Sequence, residues 1–302
     1  MAIISLVCAL LFAPLGIVFG HISLSQIRKT GEEGRGLAIA GLVIGYVITV
    51  LTIVVVALSV LFVVGVAQHL ERLDGVVPDN PRVTAAPNPS GQALPPFKPP
   101  ATLGANCQYP ATTEPPSKPV KPPQIGRIAT NPAHIPATLT TDRGVIGLQL
   151  NNGQTPCTVN NFTSLARQGF FDNTTCHRLT TSPEMAVLQC GDPTGKGTGG
   201  PGYRFPNEYP TNQYRLTDPA LKVPVIYPRG TLAMANSGPG TNGSQFFLVY
   251  EDSALPPTYT VFGTIDNAGL ATLDKVAVGG TVDGSQDGKP ALTVTITSAR
   301  IG

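Results

Sequence analysis

The sequence has no tryptophan, and charged residues make up only 13% of it, well under the usual quarter. Neither sign of charge dominates: the net charge is +2, too little to argue for a nucleic-acid partner. Four histidines and five cysteines fall without CxxC spacing, which leaves zinc-ribbon and thioredoxin-like chemistry poorly supported. No nucleophile–base pair, metal cluster or phosphate-cradling loop stands out, so covalent, metal-assisted and nucleotide-dependent reactions are not indicated. No cofactor is expected.

Two apolar runs come first. Ala2 to Gly20 and Leu37 to Gln68 carry no charged side chain, and a spanning helix needs about 20 apolar residues. The first run lacks the basic start and cleavage site of a signal peptide. Residues 1–68 therefore read as a transmembrane helical hairpin whose partner is the lipid bilayer. The connection His21–Arg35 holds Arg28, Lys29 and Arg35. The positive-inside rule places it in the cytoplasm and both chain ends outside. The expected location is the cell membrane, with two passes and an extracytoplasmic C-terminal domain.

Residues 69–136 change character. About half of the chain's 30 prolines fall between Pro78 and Pro136, and aliphatic periodicity is missing. The segment reads as a proline-rich, semi-rigid tether without a core of its own. Cys107 interrupts that reading, since a cysteine there can pin the second half of the tether to the C-terminal domain. Cys107, Cys157, Cys176 and Cys190 admit up to two disulfides in three connectivities on the oxidising side of a membrane, or four buried thiols.

Residues 137–302 carry the chemistry. Thr138–Thr141 and Val145–Leu150 alternate as strands about an Asp-Arg-Gly turn. Val159, Phe162, Leu165 and Ala166 recur at helical spacing, and a second helix is expected near Ala268–Lys275. Short strands bounded by glycine and proline occupy the rest, around Cys176–Leu179, Ala186–Cys190, Thr231–Asn236, Phe246–Tyr250, Val261–Ile265 and Leu292–Ala299. The fold class is mainly β, as a closed barrel capped by two helices.

Three ordered runs sit inside this domain: Gly-Asp-Pro-Thr-Gly (191–195), Gly-Thr-Gly-Gly-Pro-Gly-Tyr (197–203) and Gly-Thr-Leu-Ala-Met-Ala-Asn (230–236). Asn-Gly-Ser-Gln-Phe-Phe (242–247) comes after them. On these runs the domain resembles the cyclophilins, peptidyl-prolyl cis-trans isomerases built on an eight-stranded barrel. The first 68 residues resemble, over a shorter stretch, a two-helix membrane domain of actinobacterial envelope proteins. The cyclophilin resemblance implies proline-containing peptides and unfolded extracytoplasmic proteins as partners. It assigns Arg178 as the catalytic group, donating to the prolyl nitrogen of a twisted amide. It assigns Val187, Gln189, Gly197, Ala235, Asn236, Gln245, Phe247, Leu255 and Tyr259 to substrate binding, and no residue to a metal. His177 is read as structural, because neighbours in a strand point to opposite faces.

The resemblance has gaps. Residues 179–188 run about three longer than the family's pattern, which puts Ala186 and Val187 where a phenylalanine and a methionine are usual. Met185 offers a flexible apolar replacement. Ala254 stands at a tryptophan position, which implies weak cyclosporin binding. A peptide-binding module with little or no turnover is the alternative to the enzyme.

Overall fold

The computed structural model describes residues 91–302 together with isolated positions between residues 39 and 59. The chain divides into two units, Met1–Val83 and Thr84–Gly302. In the first unit the described positions are helical, and large apolar side chains such as Ile39, Val43, Val47, Leu51 and Leu58 are exposed. The expected hairpin over residues 1–68 otherwise lies outside the described residues. Among the described residues no helix is long and apolar enough to cross a membrane.

In the second unit, chain order gives β1 (Gln92–Ala93), β2 (Ile135–Thr141), β3 (Gly144–Leu150), α1 (Pro156–Arg167), β4 (Thr174–Thr175), β5 (Arg178–Thr180) and β6 (Val187–Cys190). It continues with β7 (Val225–Tyr227), β8 (Thr231–Met234), β9 (Phe246–Val249), β10 (Ser253–Leu255), β11 (Val261–Ile265), α2 (Asn267–Val278), β12 (Asp287–Gly288) and β13 (Thr295–Ile301). Ten of the strands form one sheet in the order β12-β5-β6-β9-β8-β11-β3-β2-β13-β4. The other three form a small sheet, β1-β7-β10.

The closed eight-stranded barrel expected from the sequence is corrected here to a curled half-barrel, because no ladder joins β12 to β4 among the described residues. The ladder is interrupted between β4 and β5. There the chain changes partners within two residues: Cys176 N–H donates to Val294 O on one side, and His177 N–H to Gln189 O on the other. A disulfide between Cys176 and Cys190 spans this seam.

Period-two alternation sorts the side chains of β6, β8 and β9 onto two faces. Leu188, Cys190, Leu232, Met234, Phe246 and Leu248 point into the main core. Helix α1 covers that face, with Phe162 edge-on to Phe246 at 5.6 Å and against Phe262 at 5.4 Å. Pro156 opens the helix, where its missing N–H costs nothing. The buried Glu208 carboxylate accepts from Cys157 N–H at 3.2 Å and from Thr158 N–H and Oγ1 at 2.7 and 2.6 Å. Helix α2 is capped by Asp266, which accepts from Gly269 N–H.

Val187, Ala233, Phe247 and Val249 fall on the opposite face, in a second apolar cluster with Tyr227, Leu255 and Val261. Phe246 and Phe247, adjacent in sequence, thus belong to different environments.

Of the proline-rich stretch, residues 69–90 lie outside the described residues. Residues 91–136 lie on the domain, and Cys107 and Tyr109 join its main core. Strand β1 pairs with β7. Phe97 sits edge-on to Tyr209 at 5.6 Å, and Tyr209 OH donates to Pro95 O. Tyr109 is buried against Tyr203 and Phe205. Cys107 is bonded to Cys157, the second residue of α1. The two disulfides settle which of the three connectivities the chain adopts.

Candidate active site

The second face of β5, β6 and β9 builds the site. Arg178 and Gln189 are register partners, as are Gln189 and Phe247. One row across three strands therefore sets guanidinium, amide and aromatic ring side by side.

The polar half of that row is a bonded chain. Arg178 Nη1 donates to Gln189 Oε1 at 3.2 Å. Gln189 Nε2 donates to Gln245 Oε1 at 2.9 Å. Gln245 Nε2 donates in turn to Gly197 O at 2.9 Å and Gly199 O at 3.0 Å. On its other edge Arg178 makes a bidentate pair with Asp287, Nε to Oδ1 and Nη2 to Oδ2 at 2.7 Å each. Hydrogen bonding to Asp287 holds the guanidinium protonated and, from the other side, lowers the Asp287 carboxyl below its ordinary value.

Asp192 fixes the glycine loop that ends this chain. It is fully buried. Burial pushes its carboxyl up, but hydrogen bonds from the Gly199, Thr194 and Gly197 backbones and the Thr194 hydroxyl outweigh that and leave the pKa lowered. His177 packs beside the same loop: a Cβ on Gly197, whose φ is +80°, would lie 3.2 Å from its Cδ2. Burial is the main cause of a lowered His177 pKa, so the imidazole is neutral near pH 7.

The apolar half is the second cluster. Phe247 and Tyr259 meet edge-on at 5.7 Å. Phe247 is 4% exposed and Leu255 8%, while Val187 is wholly enclosed. Met185, in the lengthened 179–188 segment, packs against this cluster together with Ala235 and Tyr259. Ala186, by contrast, turns into the main core. Asn236 donates to Thr258 O at 2.9 Å and accepts from Gly238 N–H. The Ala235 N–H is taken by Gln245 O.

The structure thus brings Arg178, Gln189, Gln245 and Gly197 into one hydrogen-bonded chain. It gathers Val187, Phe247, Leu255 and Tyr259 into one apolar cluster, and uses the Asn236 side chain to hold the loops beside it. Sequence reasoning missed Asp287, which lies 109 residues from Arg178 on the two-residue strand β12 beside β5 and carries no motif. It also missed Tyr227, whose hydroxyl donates to Tyr259 O at 3.0 Å and fixes that residue's backbone. Among the described residues no group of histidine, cysteine and acidic side chains could hold a metal.

A fixed cation beside an apolar cluster, with amides in line, suits an extended peptide whose reacting bond needs hydrogen-bond donation and no covalent partner.

Residues 137–301 match the family model for cyclophilin type peptidyl-prolyl cis-trans isomerase/CLD. Residues 1–55 match a domain of unknown function, DUF4190. The chain is 66% identical over 205 residues to "Probable peptidyl-prolyl cis-trans isomerase B" of Mycobacterium tuberculosis, covering 68% of this chain and 67% of that one. It is 64% identical over 208 residues to the protein of the same name from Mycobacterium leprae, covering 69% and 70%. A solved Cryptosporidium parvum cyclophilin type isomerase is 30% identical, with a TM-score of 0.45, covering 56% of this chain and 98% of that one.

Proposed function

The chain belongs to the cyclophilin-type peptidyl-prolyl cis-trans isomerase family, and from that premise we propose that it is a membrane-anchored isomerase acting on extracytoplasmic proteins through Arg178. An Xaa-Pro bond turns slowly because its C–N bond has partial double-bond character, with a barrier of about 18–20 kcal/mol. No bond need break. The enzyme has only to bind the twisted amide more tightly than either planar form. In the twisted state the prolyl nitrogen regains a lone pair, and a guanidinium N–H donates to it. Arginine suits this role because it stays charged and its fork is rigid.

The observation that carries the reading is the bonding of Arg178. Asp287 and Gln189 hold the guanidinium from two sides, so it needs little reorganisation as the amide twists. Phe247, Leu255, Tyr259 and Met185 receive the prolyl ring, with Val187 as the floor beneath them. Gln245 meets a substrate carbonyl by releasing one of the two Nε2 bonds it makes to Gly197 O and Gly199 O without a peptide, the Ala235–Asn236 backbone runs beside the peptide, and Gly197 borders the neighbouring recess. Ala254, half-buried on β10, leaves cyclosporin without an indole partner and its binding weak.

Two disulfides support an oxidising, extracytoplasmic setting for the domain. Exposed apolar side chains along the described helical positions 39–58 support a lipid-facing segment. The clients are proline-containing segments of unfolded envelope proteins, whose folding the enzyme assists.

The test is an isomerisation assay with an Ala-Pro peptide, comparing the chain with Arg178→Ala. Loss of one such donor costs about 10²- to 10³-fold in rate. A variant that keeps the parent rate removes Arg178 from the mechanism. A second reading, a module that binds proline peptides with little turnover, draws on the near-complete burial of Phe247 and Leu255. A folded chain that binds the peptide without accelerating it would favour that reading.

A further inference from the structure

We infer that the proline-rich strap ahead of the matched domain, residues 107–118, is one wall of the peptide groove, and that this groove selects polar, uncharged side chains on the residues preceding the Xaa-Pro bond. The inference rests on the isomerase reading above and gives it a substrate class.

The strap is fixed at both ends. Cys107 is bonded to Cys157 in α1, and Lys118 Nζ donates to the Phe170 and Asp172 carbonyls. Between these anchors it runs along the glycine loop. Thr112 N–H donates to Gly202 O at 2.9 Å, Arg204 N–H to Pro110 O at 3.0 Å, and Ser117 N–H to Gly200 O at 2.8 Å. Gly200 N–H returns a bond to Ser117 Oγ at 3.0 Å. The approach is close enough to need glycine. A Cβ on Gly202, at φ +79°, would sit 2.9 Å from Pro116, and one on Gly199 would sit 2.6 Å from Ser117 Oγ.

A cavity of about 400 Å³ is lined by strap and loop together, and by Gln189, Gln245 and Asn236. Gln189 and Gln245 are the two amides that connect to Arg178. The cavity therefore continues the site on the side away from the Phe247–Leu255 cluster. A peptide whose proline occupies that cluster, and whose preceding carbonyl meets Gln245, lays its earlier residues here.

The chemistry of the lining sets the selection. Thr112, Ser117, Thr198, Ser237 and Thr241 bring hydroxyls. The charged groups of the lining, Glu114 and Arg204, are of opposite sign and 3.9 Å apart, so the wall is close to neutral overall. Among the described residues it holds no leucine, isoleucine, valine, phenylalanine or methionine. A large apolar side chain here strips water from polar groups and gives them no partner in return. A hydroxyl or amide replaces those hydrogen bonds.

The experiment uses the full chain and tetrapeptides Zaa-Ala-Pro-Phe with Zaa as Gln, Leu, Lys or Glu. The expected kcat/KM for Gln exceeds that for Leu by about three- to tenfold, the worth of one or two net hydrogen bonds. Glu114→Lys turns the wall positive and raises the Glu-to-Lys selectivity ratio by about fivefold, the upper range for an exposed ion pair. A Leu preference in the parent, or an unchanged ratio in the variant, overturns the inference even if the overall rate falls, because a brace alone would not move a ratio. An independent arm replaces Zaa with a photoreactive residue and maps the crosslinks by mass spectrometry. Crosslinks within residues 112–117 are expected, and crosslinks to the glycine loop alone overturn the wall. If no peptide is accelerated, the isomerase reading fails, and the crosslink map still decides whether the strap borders the groove.

Discussion

Replacing Asp287 by alanine asks how much of the catalysis comes from holding Arg178 still. The carboxylate takes the Nε and Nη2 edge at 2.7 Å twice, and Gln189 takes Nη1 at 3.2 Å. The pair is solvated, with side-chain exposures of 36% and 54%. Exposed pairs contribute about 0–1 kcal/mol. The two short charge-assisted bonds put this one at the upper end, about 1 kcal/mol. If that energy sets the population of the productive guanidinium position, its loss lowers the population up to about fivefold. Removing the carboxylate also lifts a negative charge from beside the donor, which works the other way. Solvent and salt screen that gain at an exposed position, whereas misplacing a donor acts at the reacting atom itself, so the net effect is a loss.

Isomerisation kinetics on an Ala-Pro peptide, for the parent, Asp287→Ala, Asp287→Glu and Arg178→Ala, read this directly. The alanine variant should lose about three- to fivefold, mostly in kcat, far less than the 10²- to 10³-fold expected for Arg178→Ala. The glutamate variant should recover part of the loss. Near 1 M salt, where the Debye length falls to about 3 Å, the parent should move toward the alanine variant. An alanine variant that matches or outpaces the parent would refute the positioning argument and make Asp287 a brake. One as slow as Arg178→Ala would put the carboxylate in the reaction itself.

Two further predictions concern the frame. Burial pushes the Glu208 carboxyl up to about 7 from its ordinary 4.5, over the opposing bonds from Thr158 and Cys157; the protonated form is the one the fold prefers, so its contribution is whole below about pH 4.5 and fades as pH rises through 7. In urea titrations across that window, the stability of the parent relative to Glu208→Gln should fall by about 3 kcal/mol, and a flat difference would show that the three donors cancel the cost of burial. The Cys176–Cys190 bond closes a short loop, with a sequence separation of 14, worth about 3 kcal/mol; paired alanine substitutions should lower the melting temperature and also the turnover, because Arg178 and Gln189 lie two and one residues from the bridge, and an unchanged turnover would show that the seam needs no clamp.

What could be read from the sequence was what repeats within a few residues. The alternation of Val145 to Leu150 and the helical spacing of Val159, Phe162 and Leu165 are local, and β3 and α1 lie where those patterns put them. Strands β7 and β10 are three residues each, too short to alternate visibly, and they exist because each pairs with the other. The 91–136 stretch shows the same limit from the other side. Its composition shows no periodic apolar pattern, but composition says nothing of surfaces offered elsewhere. Single residues such as Phe97, Tyr109 and Cys107 fasten it to Tyr209, Tyr203 and Cys157. Asp287 was invisible for the same reason, since its partner is 109 residues away.

The bonding of the site also bears on the kind of chemistry it performs. From Asp287 through Arg178, Gln189 and Gln245 to the carbonyls of Gly197 and Gly199, each polar group holds the next. The strap holds the glycine loop in its turn. No member of this path is a free base poised beside an acid. His177, the one imidazole nearby, is kept neutral by burial and packs on the loop rather than on Arg178. A proton-transfer enzyme would need a group that changes charge during turnover. This site has a cation that keeps its charge and a frame that keeps its position. That arrangement suits a reaction whose only event is the rotation of one amide, where stabilising the twisted state is all that a catalyst can contribute.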